Sequence, residues 1–276
     1  MSAIQQQAIS PELRSWIQEQ LGQGFDREQV LAAMLSSGWQ KSVAVQALDE
    51  PLGGSTVASR VPTLDLADAR PTLSIDGHEV KVLLTLSQPR IVVLGGLLSD
   101  EECDAMVAAA AARLARSETV ATTAGGSEIN PARTSDGMFF ERGESELIRT
   151  VEARLAKLMN WPIDHGEGLQ VLRYRPGAEY LPHYDYFDPK MDGAAAILKR
   201  GGQRVATLVM YLNTPAAGGA TIFPDIKLDV SPIKGNAVFF SYDRPDPLTQ
   251  SLHGGAPVRE GEKWVATKWL REGVFV

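Results

Sequence analysis

The segment Lys263-Trp-Val-Ala-Thr-Lys-Trp269 is predicted to form a β-strand, in which alternate side chains point to opposite faces. One face then carries Lys263, Val265, Thr267 and Trp269, and the other carries Trp264, Ala266 and Lys268. Earlier strands are predicted at 169–174, 205–213, 220–223 and 237–242, with turns rich in glycine and proline between them. No helix is predicted between these strands, so they are expected to pair into a sandwich or barrel.

Two helices are predicted before these strands. Ser99 and Glu102 have the spacing of a capping box and begin a helix over 99–116. A second helix is predicted over 145–159. Two helices followed by a run of short strands indicate an α+β fold.

Composition narrows the class of protein. The chain has 276 residues with 27 Lys+Arg against 34 Asp+Glu, a net charge of −7, which argues against a nucleic acid or an anionic membrane as the main partner. Its single cysteine, Cys103, excludes an intrachain disulfide and a cysteine-based zinc cluster. The polar amino terminus is unlike a signal peptide, and no apolar run approaches the length of a membrane span. We therefore expect a cytoplasmic protein.

The amino-terminal part has a different pattern. Residues 11–50 predict three short helices, and the acid Asp26 followed by Gln29 marks the start of the second. With Gly24-Phe25 and Gly38-Trp39 around that helix, residues 1–50 loosely resemble a ubiquitin-associated bundle. Residues 51–75 are rich in proline and glycine and are predicted to be a linker. The bundle is either a packing appendage or a site for a protein partner.

Three residues form a candidate metal site. His183 and Asp185 lie two positions apart in Leu181-Pro-His-Tyr-Asp-Tyr-Phe187, so on a strand their side chains would share one face. His253 stands beside two glycines, which allow the backbone to approach closely. Two histidines and one carboxylate are the ligand set of non-haem Fe(II) oxygenases, although a chance surface pair gives the same pattern.

Lys263 adds a candidate anion site. It begins a predicted strand on an apolar face, where an ammonium group is costly unless it meets an anion. The distal carboxylate of 2-oxoglutarate would supply that anion, whereas a lysine at a solvated strand end would need none. Arg173 and Lys268 are the alternative cations for this role.

Several segments from about 88 to 274 together resemble the catalytic domain of prolyl 4-hydroxylases, in the 2-oxoglutarate/Fe(II) dioxygenase superfamily. They are Arg133-Thr-Ser-Asp-Gly-Met-Phe-Phe-Glu-Arg142, His165-Gly-Glu-Gly-Leu-Gln-Val171, Arg173-Tyr-Arg-Pro-Gly177, Pro182-His-Tyr-Asp-Tyr-Phe187, Gly201-Gly-Gln-Arg-Val-Ala-Thr207, Gly218-Gly-Ala-Thr221 and Lys263–Trp269. The resemblance implies a double-stranded β-helix (jelly-roll) core over about 167–273 with flanking helices, and it assigns residues 76–276 to this domain.

The resemblance also implies roles for individual residues. The residues that would bind Fe(II) are His183, Asp185 and His253. Lys263 would bind the distal carboxylate of 2-oxoglutarate, and Tyr174 and Thr267 would line the same pocket. The residues that would surround a peptide groove are Tyr180, Arg204 and Trp269. Arg133 to Met138 would form a loop that folds over bound peptide, and His165 would be structural. Two departures from the family pattern are Arg271, where relatives often have a histidine that contacts peptide, and the apolar patch within 188–200.

The activity implied is hydroxylation of proline in a peptide or protein. It would be coupled to oxidative decarboxylation of 2-oxoglutarate by O2 to succinate and CO2, with ascorbate as reductant. A second hypothesis keeps this chemistry but changes the substrate to a free amino acid or another small molecule. A third is a non-catalytic peptide-binding adaptor.

Overall fold

The computed structural model describes residues 9, 13, 16–17, 20–21, 25–49, 61–66, 70–116, 119–120, 127–128 and 133–276. The chain divides into two units, Met1–Ser59 and Arg60–Val276. The helices among the described residues are α1 (Arg27–Ser36), α2 (Lys41–Asp49), α3 (Asp100–Ala111), α4 (Glu146–Leu158) and α5 (Ala194–Leu198), with 3-10 turns at Ile163–His165, Pro224–Ile226 and Pro247–Thr249. None of them is long and apolar enough to cross a bilayer.

The strands of the second unit are numbered in chain order. They are β1 (Thr72–Ile75), β2 (His78–Leu86), β3 (Arg90–Gly95), β4 (Ala115–Arg116), β5 (Thr119–Val120), β6 (Ser127–Glu128), β7 (Asp136–Phe140), β8 (Leu169–Tyr174), β9 (Tyr180–His183), β10 (Arg204–Tyr211), β11 (Ala217–Gly218), β12 (Thr221–Phe223), β13 (Leu228–Val230), β14 (Ala237–Ser241), β15 (His253–Gly255), β16 (Val258–Glu260) and β17 (Lys263–Arg271).

In the first unit, α1 begins as predicted. The Asp26 side chain accepts a hydrogen bond from the Gln29 amide at 2.8 Å, and the Gln29 side chain accepts one from the Asp26 amide at 2.9 Å, which completes a capping box. Apolar residues of α1 and α2 are buried together: Val30, Met34, Ala44, Ala47 and Leu48. Most of the first predicted helix lies outside the described residues, so the three-helix bundle stays a prediction.

The linker predicted over 51–75 extends too far toward the carboxyl terminus, because its last residues form a strand. Thr72–Ile75 forms β1, which pairs with β2 through a tight turn at Asp76 and Gly77. Both turn residues have positive φ, 51° and 81°, the conformation that a two-residue type I′ hairpin turn requires. Residues 50–60 and 67–69 of this region lie outside the described residues.

Two antiparallel sheets organise the second unit. The larger has nine strands in the order β1-β2-β3-β14-β10-β17-β8-β7-β4, and the smaller has four in the order β13-β12-β15-β9. From β8 to β17 the chain passes repeatedly between them: β8, β10, β14 and β17 lie in the larger sheet, and β9, β12, β13 and β15 lie in the smaller, while β11 and β16 pair with each other. The fold is thus a mixture of helices and a large antiparallel sheet, as predicted, and this order is consistent with a jelly roll.

The larger sheet has an apolar core on each face. Residues of α3 and α4 such as Met106, Val151 and Leu155 cluster with Leu208 and Phe239 of the sheet. A second cluster contains Val209 and Val265 of the larger sheet with Phe223 and Val230 of the smaller. The alternation predicted for the last strand therefore separates a helix-facing side from a side that faces the smaller sheet.

The helix over 99–116 was predicted too long. Its start is confirmed, because Ser99 and Glu102 form the capping box, but the helix ends at Ala111. Ala115–Arg116 instead pairs with β7 as an edge strand of the larger sheet. The second helix, with Ser145 as its N-cap, agrees with the predicted bounds to one residue at each end.

Candidate active site

The candidate metal ligands meet at one end of the smaller sheet. His183 ends β9 and His253 begins β15, and the two residues are direct partners in the register of these strands. A Cβ atom on Gly254 would lie 2.8 Å from the Tyr180 carbonyl oxygen, so glycine is needed for this approach. Asp185 lies beyond the end of β9, and a bend in the backbone, rather than strand alternation, brings its carboxylate to the histidines.

The three side chains are close enough to share one ion. Asp185 Oδ1 lies 3.5 Å from His183 Nε2, and Asp185 Oδ2 lies 3.4 Å from His253 Nε2. The ligand atoms of all three lie within 4.8 Å of one another. The imidazole centroids are 4.4 Å apart, well inside the separation of about 10 Å that would exclude a shared metal with imidazole bonds of about 2 Å.

Backbone carbonyls orient both imidazoles. His183 Nδ1 lies 2.9 Å from the Leu181 oxygen, and His253 Nδ1 lies 2.9 Å from the Ser251 oxygen. Because a carbonyl oxygen only accepts hydrogen bonds, each Nδ1 carries a proton, which leaves Nε2 as the nitrogen that can offer a lone pair to a metal. Both lone pairs are directed toward Asp185, so the geometry defines which nitrogen would bind a metal.

The charges at this site also suit a cation. Burial lowers the pKa of His253 to about 4, which leaves the ring neutral at pH 7. Burial opposes ionisation of Asp185, but attraction to the imidazoles of His253 and His183 when they are protonated, and to the guanidinium of Arg204, holds the pKa of its carboxyl group below the ordinary value. Two nitrogen lone pairs and a carboxylate therefore converge, a donor set that fits Fe(II) with coordination positions left open.

Lys263 is buried in a pocket next to this site. It is 4% exposed and is the register partner of Tyr174 across β17 and β8. Its Nζ lies 5.6 Å from the Tyr174 ring centroid, and among the described residues no carboxylate pairs with it. Burial lowers the pKa of Lys263 from 10.5 to about 7. An ammonium group without a counterion in an apolar pocket is suited to an anionic ligand.

The chain's similarities to known proteins follow the same region. Residues 169–271 match the model of the 2OG-Fe(II) oxygenase superfamily. Probable prolyl 4-hydroxylase 3 of Arabidopsis thaliana is 39% identical over 209 residues, which cover 68% of this chain and 71% of the relative. Prolyl 4-hydroxylase 1 of the same plant is 42% identical over 203 residues, covering 67% and 69%. The chain belongs to the prolyl 4-hydroxylase family. A viral collagen prolyl hydroxylase from Paramecium bursaria Chlorella virus-1 superposes with a TM-score of 0.49 at 32% identity, over 66% of this chain and 95% of that one.

Tyr174 and Thr267, which the family resemblance assigned to the 2-oxoglutarate pocket, line the pocket around Lys263. Both are buried, each with 5% of its surface exposed. Thr221, for which no role was predicted, also lines this pocket, and its Oγ1 accepts a hydrogen bond from the Tyr211 hydroxyl at 2.9 Å. The position of Thr221 in the segment Gly218-Gly-Ala-Thr221, which resembles the family, was the feature of the sequence that could have indicated a place in this pocket.

Arg173 and Lys268, the alternative cations for the anion site, both lie away from this pocket. Arg173 Nη2 donates to Asp136 at 2.9 Å, on the opposite face of its strand. Lys268 Nζ pairs with Glu152 of α4 at 2.6 Å on the helix-facing side of the larger sheet. The alternation of side chains in β8 and β17 accounts for both positions.

An open groove of about 910 Å³ runs from the metal site to the surface. Tyr180 stacks on the His183 ring with centroids 3.7 Å apart, and the guanidinium of Arg133 lies 5.3 Å from the Tyr180 ring. Tyr184 and Tyr186 form a second stacked pair with centroids 4.8 Å apart. The groove therefore offers aromatic faces beside the metal ligands.

Arg204 lines this groove, but its donors are already engaged. Two of its nitrogens bind Glu167 at 2.7 and 2.9 Å, and its guanidinium lies 4.1 Å from the Trp269 ring centroid. Arg271 binds the same Glu167 oxygen at 2.7 Å. The residue that departs from the family pattern thus completes a buried Arg-Glu-Arg cluster. Trp269 is 7% exposed and presents its ring beneath Arg204.

Three further predictions concern segments around the groove. The segment from Arg133 to Met138 is not simply a loop, because Arg133 bridges to Tyr180 and β7 begins at Asp136. The apolar patch within 188–200 contains α5, whose residues Ala194 and Ile197 are buried by packing. His165 stands against Trp161 and, like His78, is not among the metal-site residues.

Proposed function

We propose that this chain hydroxylates proline within a peptide or protein and consumes 2-oxoglutarate and O2. The observation that carries the proposal is the position of buried Lys263, which no carboxylate of the described residues pairs with, next to two oriented imidazoles and a carboxylate. This pairing provides one site for a metal and an adjoining site for an anionic cosubstrate. The β-strand order supports a double-stranded β-helix that carries both sites.

His183, Asp185 and His253 would hold Fe(II), which, when bound together with 2-oxoglutarate and O2, supplies the oxidising power for C–H hydroxylation. Lys263 would bind the distal carboxylate of 2-oxoglutarate, and Tyr174 would face the same group. Because Lys263 is 4% exposed, little water would screen this charge pairing.

The groove suits an extended chain. Tyr180, Arg204 and Trp269 would position the peptide near the metal, with the aromatic rings against proline. Because Arg204 is tied to Glu167, we infer that it contributes a fixed stacking surface and a positive rim. The groove's volume of about 910 Å³ favours a peptide over a free amino acid.

Ascorbate is proposed as the reductant that restores enzyme oxidised in unproductive turnover. A protein partner at the amino-terminal unit is a further proposal, supported by Phe25, which is 47% exposed there. Cytoplasmic localisation and the absence of nucleic-acid and membrane partners stay predictions from the sequence.

The test is an anaerobic-to-aerobic turnover assay of the full chain with Fe(II), 2-oxoglutarate, ascorbate and a proline-rich peptide. We expect succinate to form in equal amount with hydroxylated peptide, with the added oxygen mapped to proline by mass spectrometry. Asp185→Ala is the inactive control, and His78→Gln is the matched change of a histidine outside the site. Hydroxylation of free proline alone would replace the proposal with the small-molecule hypothesis, and no succinate under any condition would favour the adaptor.

A further inference from the structure

Two buried hydroxyl groups form a hydrogen-bonded chain that ends on Asp185. Thr207 Oγ1 lies 2.7 Å from Asp185 Oδ2, and the Tyr242 hydroxyl lies 2.9 Å from Thr207 Oγ1. Thr207 is fully buried and Tyr242 is 2% exposed. Neither residue has a role in the family resemblance or in the function proposed above.

The direction of these hydrogen bonds follows from the chemistry of the groups. An ionised carboxylate only accepts, so the single proton of Thr207 is directed at Asp185. Tyr242 must then donate its own proton to Thr207 Oγ1. Hydroxyl groups linked in this way polarise one another, and the bond to the carboxylate is strengthened.

The chain also connects the two sheets. Asp185 follows β9 of the smaller sheet, whereas Thr207 lies in β10 and Tyr242 follows β14, both in the larger sheet. The torsion that rotates a carboxylate about its Cβ–Cγ bond has no sharp preference of its own. The hydrogen bond from Thr207, in the central strand β10, therefore fixes the orientation of the Asp185 carboxylate, which the backbone bend after β9 leaves free.

We propose that Thr207, supported by Tyr242, is a positioning residue that fixes the rotation of the Asp185 carboxylate for metal binding. The inference rests on the proposed function, because it requires a metal between His183, Asp185 and His253. Hydrogen-bond partners of metal ligands are worth about 10- to 100-fold in metal affinity, which sets the scale of the effect.

The experiment measures binding of Co(II) alone to the full chain, by titration followed through visible absorption. Thr207→Val removes the hydroxyl while keeping the shape, and we expect about 10- to 100-fold weaker binding with an altered spectrum. Thr207→Ser restores the hydroxyl and should return both readouts to near the original values. Tyr242→Phe should weaken binding by a smaller factor, because the first hydrogen bond remains.

Tyr211→Phe is the matched control. It also removes a buried tyrosine hydroxyl bonded to a threonine at 2.9 Å, but its partner is Thr221 and not Thr207. Because this pair lies in the pocket around Lys263 and not at the metal ligands, the variant should leave the affinity for Co(II) unchanged when no 2-oxoglutarate is present. Thermal unfolding of each variant reports whether it is folded, and if Thr207→Val does not fold, the comparison of Tyr242→Phe with Tyr211→Phe decides.

Unchanged affinity and spectrum in Thr207→Val would overturn the inference, as would an equal loss in Tyr242→Phe and Tyr211→Phe. These outcomes differ from failure of the proposed function. If the original chain binds no metal, the proposed function fails as well. If the original chain binds metal and hydroxylates peptide, and Thr207→Val binds metal equally well, only the positioning role of Thr207 is excluded.

Discussion

The affinity for 2-oxoglutarate should fall as the pH rises through 7. Lys263 is buried without a carboxylate partner among the described residues, and burial lowers its pKa to about 7. Only the protonated ammonium forms a charge-assisted bond with the ligand, and the bound carboxylate in turn favours the protonated form. Affinity is therefore highest below pH 7 and is lost above it.

The magnitude follows from the fraction of Lys263 that is charged before binding. With a pKa of about 7, this fraction is roughly 0.9 at pH 6 and roughly 0.1 at pH 8, and apparent affinity scales with the competent fraction. Binding should thus be about tenfold weaker at pH 8 than at pH 6. At pH 8 it should also take up close to one proton from the buffer.

Calorimetry with Mn(II) at saturating concentration, in buffers of different ionisation enthalpy, measures both the affinity and the proton uptake. Lys263→Met should bind about 10- to 100-fold more weakly at pH 6, the value of a charge-assisted hydrogen bond of about 1.5–3 kcal/mol, and should show a flat pH profile. Lys263→Arg keeps its charge throughout and should also be flat. A flat profile in the unchanged protein with no proton uptake at pH 8 would refute the argument.

Three further outcomes are expected. Asp185→Ala and Asp185→Glu should both abolish turnover while circular dichroism shows an intact fold, since one removes and the other displaces a ligand; full activity in either would exclude Asp185 from the metal site. Gly254→Ala should weaken Co(II) binding, because the added Cβ would lie 2.8 Å from the Tyr180 carbonyl oxygen. Gly255→Ala should not weaken it, because the Cβ there would make only ordinary contacts of 3.7 Å or more. Equal effects of the two substitutions would contradict the argument that His253 needs glycine at 254 for the close approach of the strands. Removal of residues 1–59 should preserve metal and 2-oxoglutarate binding, measured by the same titrations, because residues 60–276 form a unit of their own; loss of both would show that the units depend on each other.

The sequence alone determined which residues were candidates and which face of the last strand they occupy. Alternation along Lys263–Trp269 separated the pocket-facing Lys263 from Lys268, and the structure places them on opposite sides of the larger sheet. Local signals also placed helix starts, because a capping box such as that of Ser99 and Glu102 depends only on neighbouring residues. Such periodic and local features are encoded within a few residues of the chain.

Tertiary structure decided what depends on distant segments. The pairing of His183 with His253 depends on the register of two strands that lie 70 positions apart in the chain. No local pattern predicts that Thr207 donates a hydrogen bond to Asp185. Nor does any local pattern predict that Arg204 and Arg271 both bind Glu167. The burial that lowers the pKa of Lys263 to about 7, with no carboxylate beside it in the described part of the chain, likewise depends on which side chains the fold brings around it. Desolvation and hydrogen-bond partners arise from packing between sheets, so they appear only when the chain is folded.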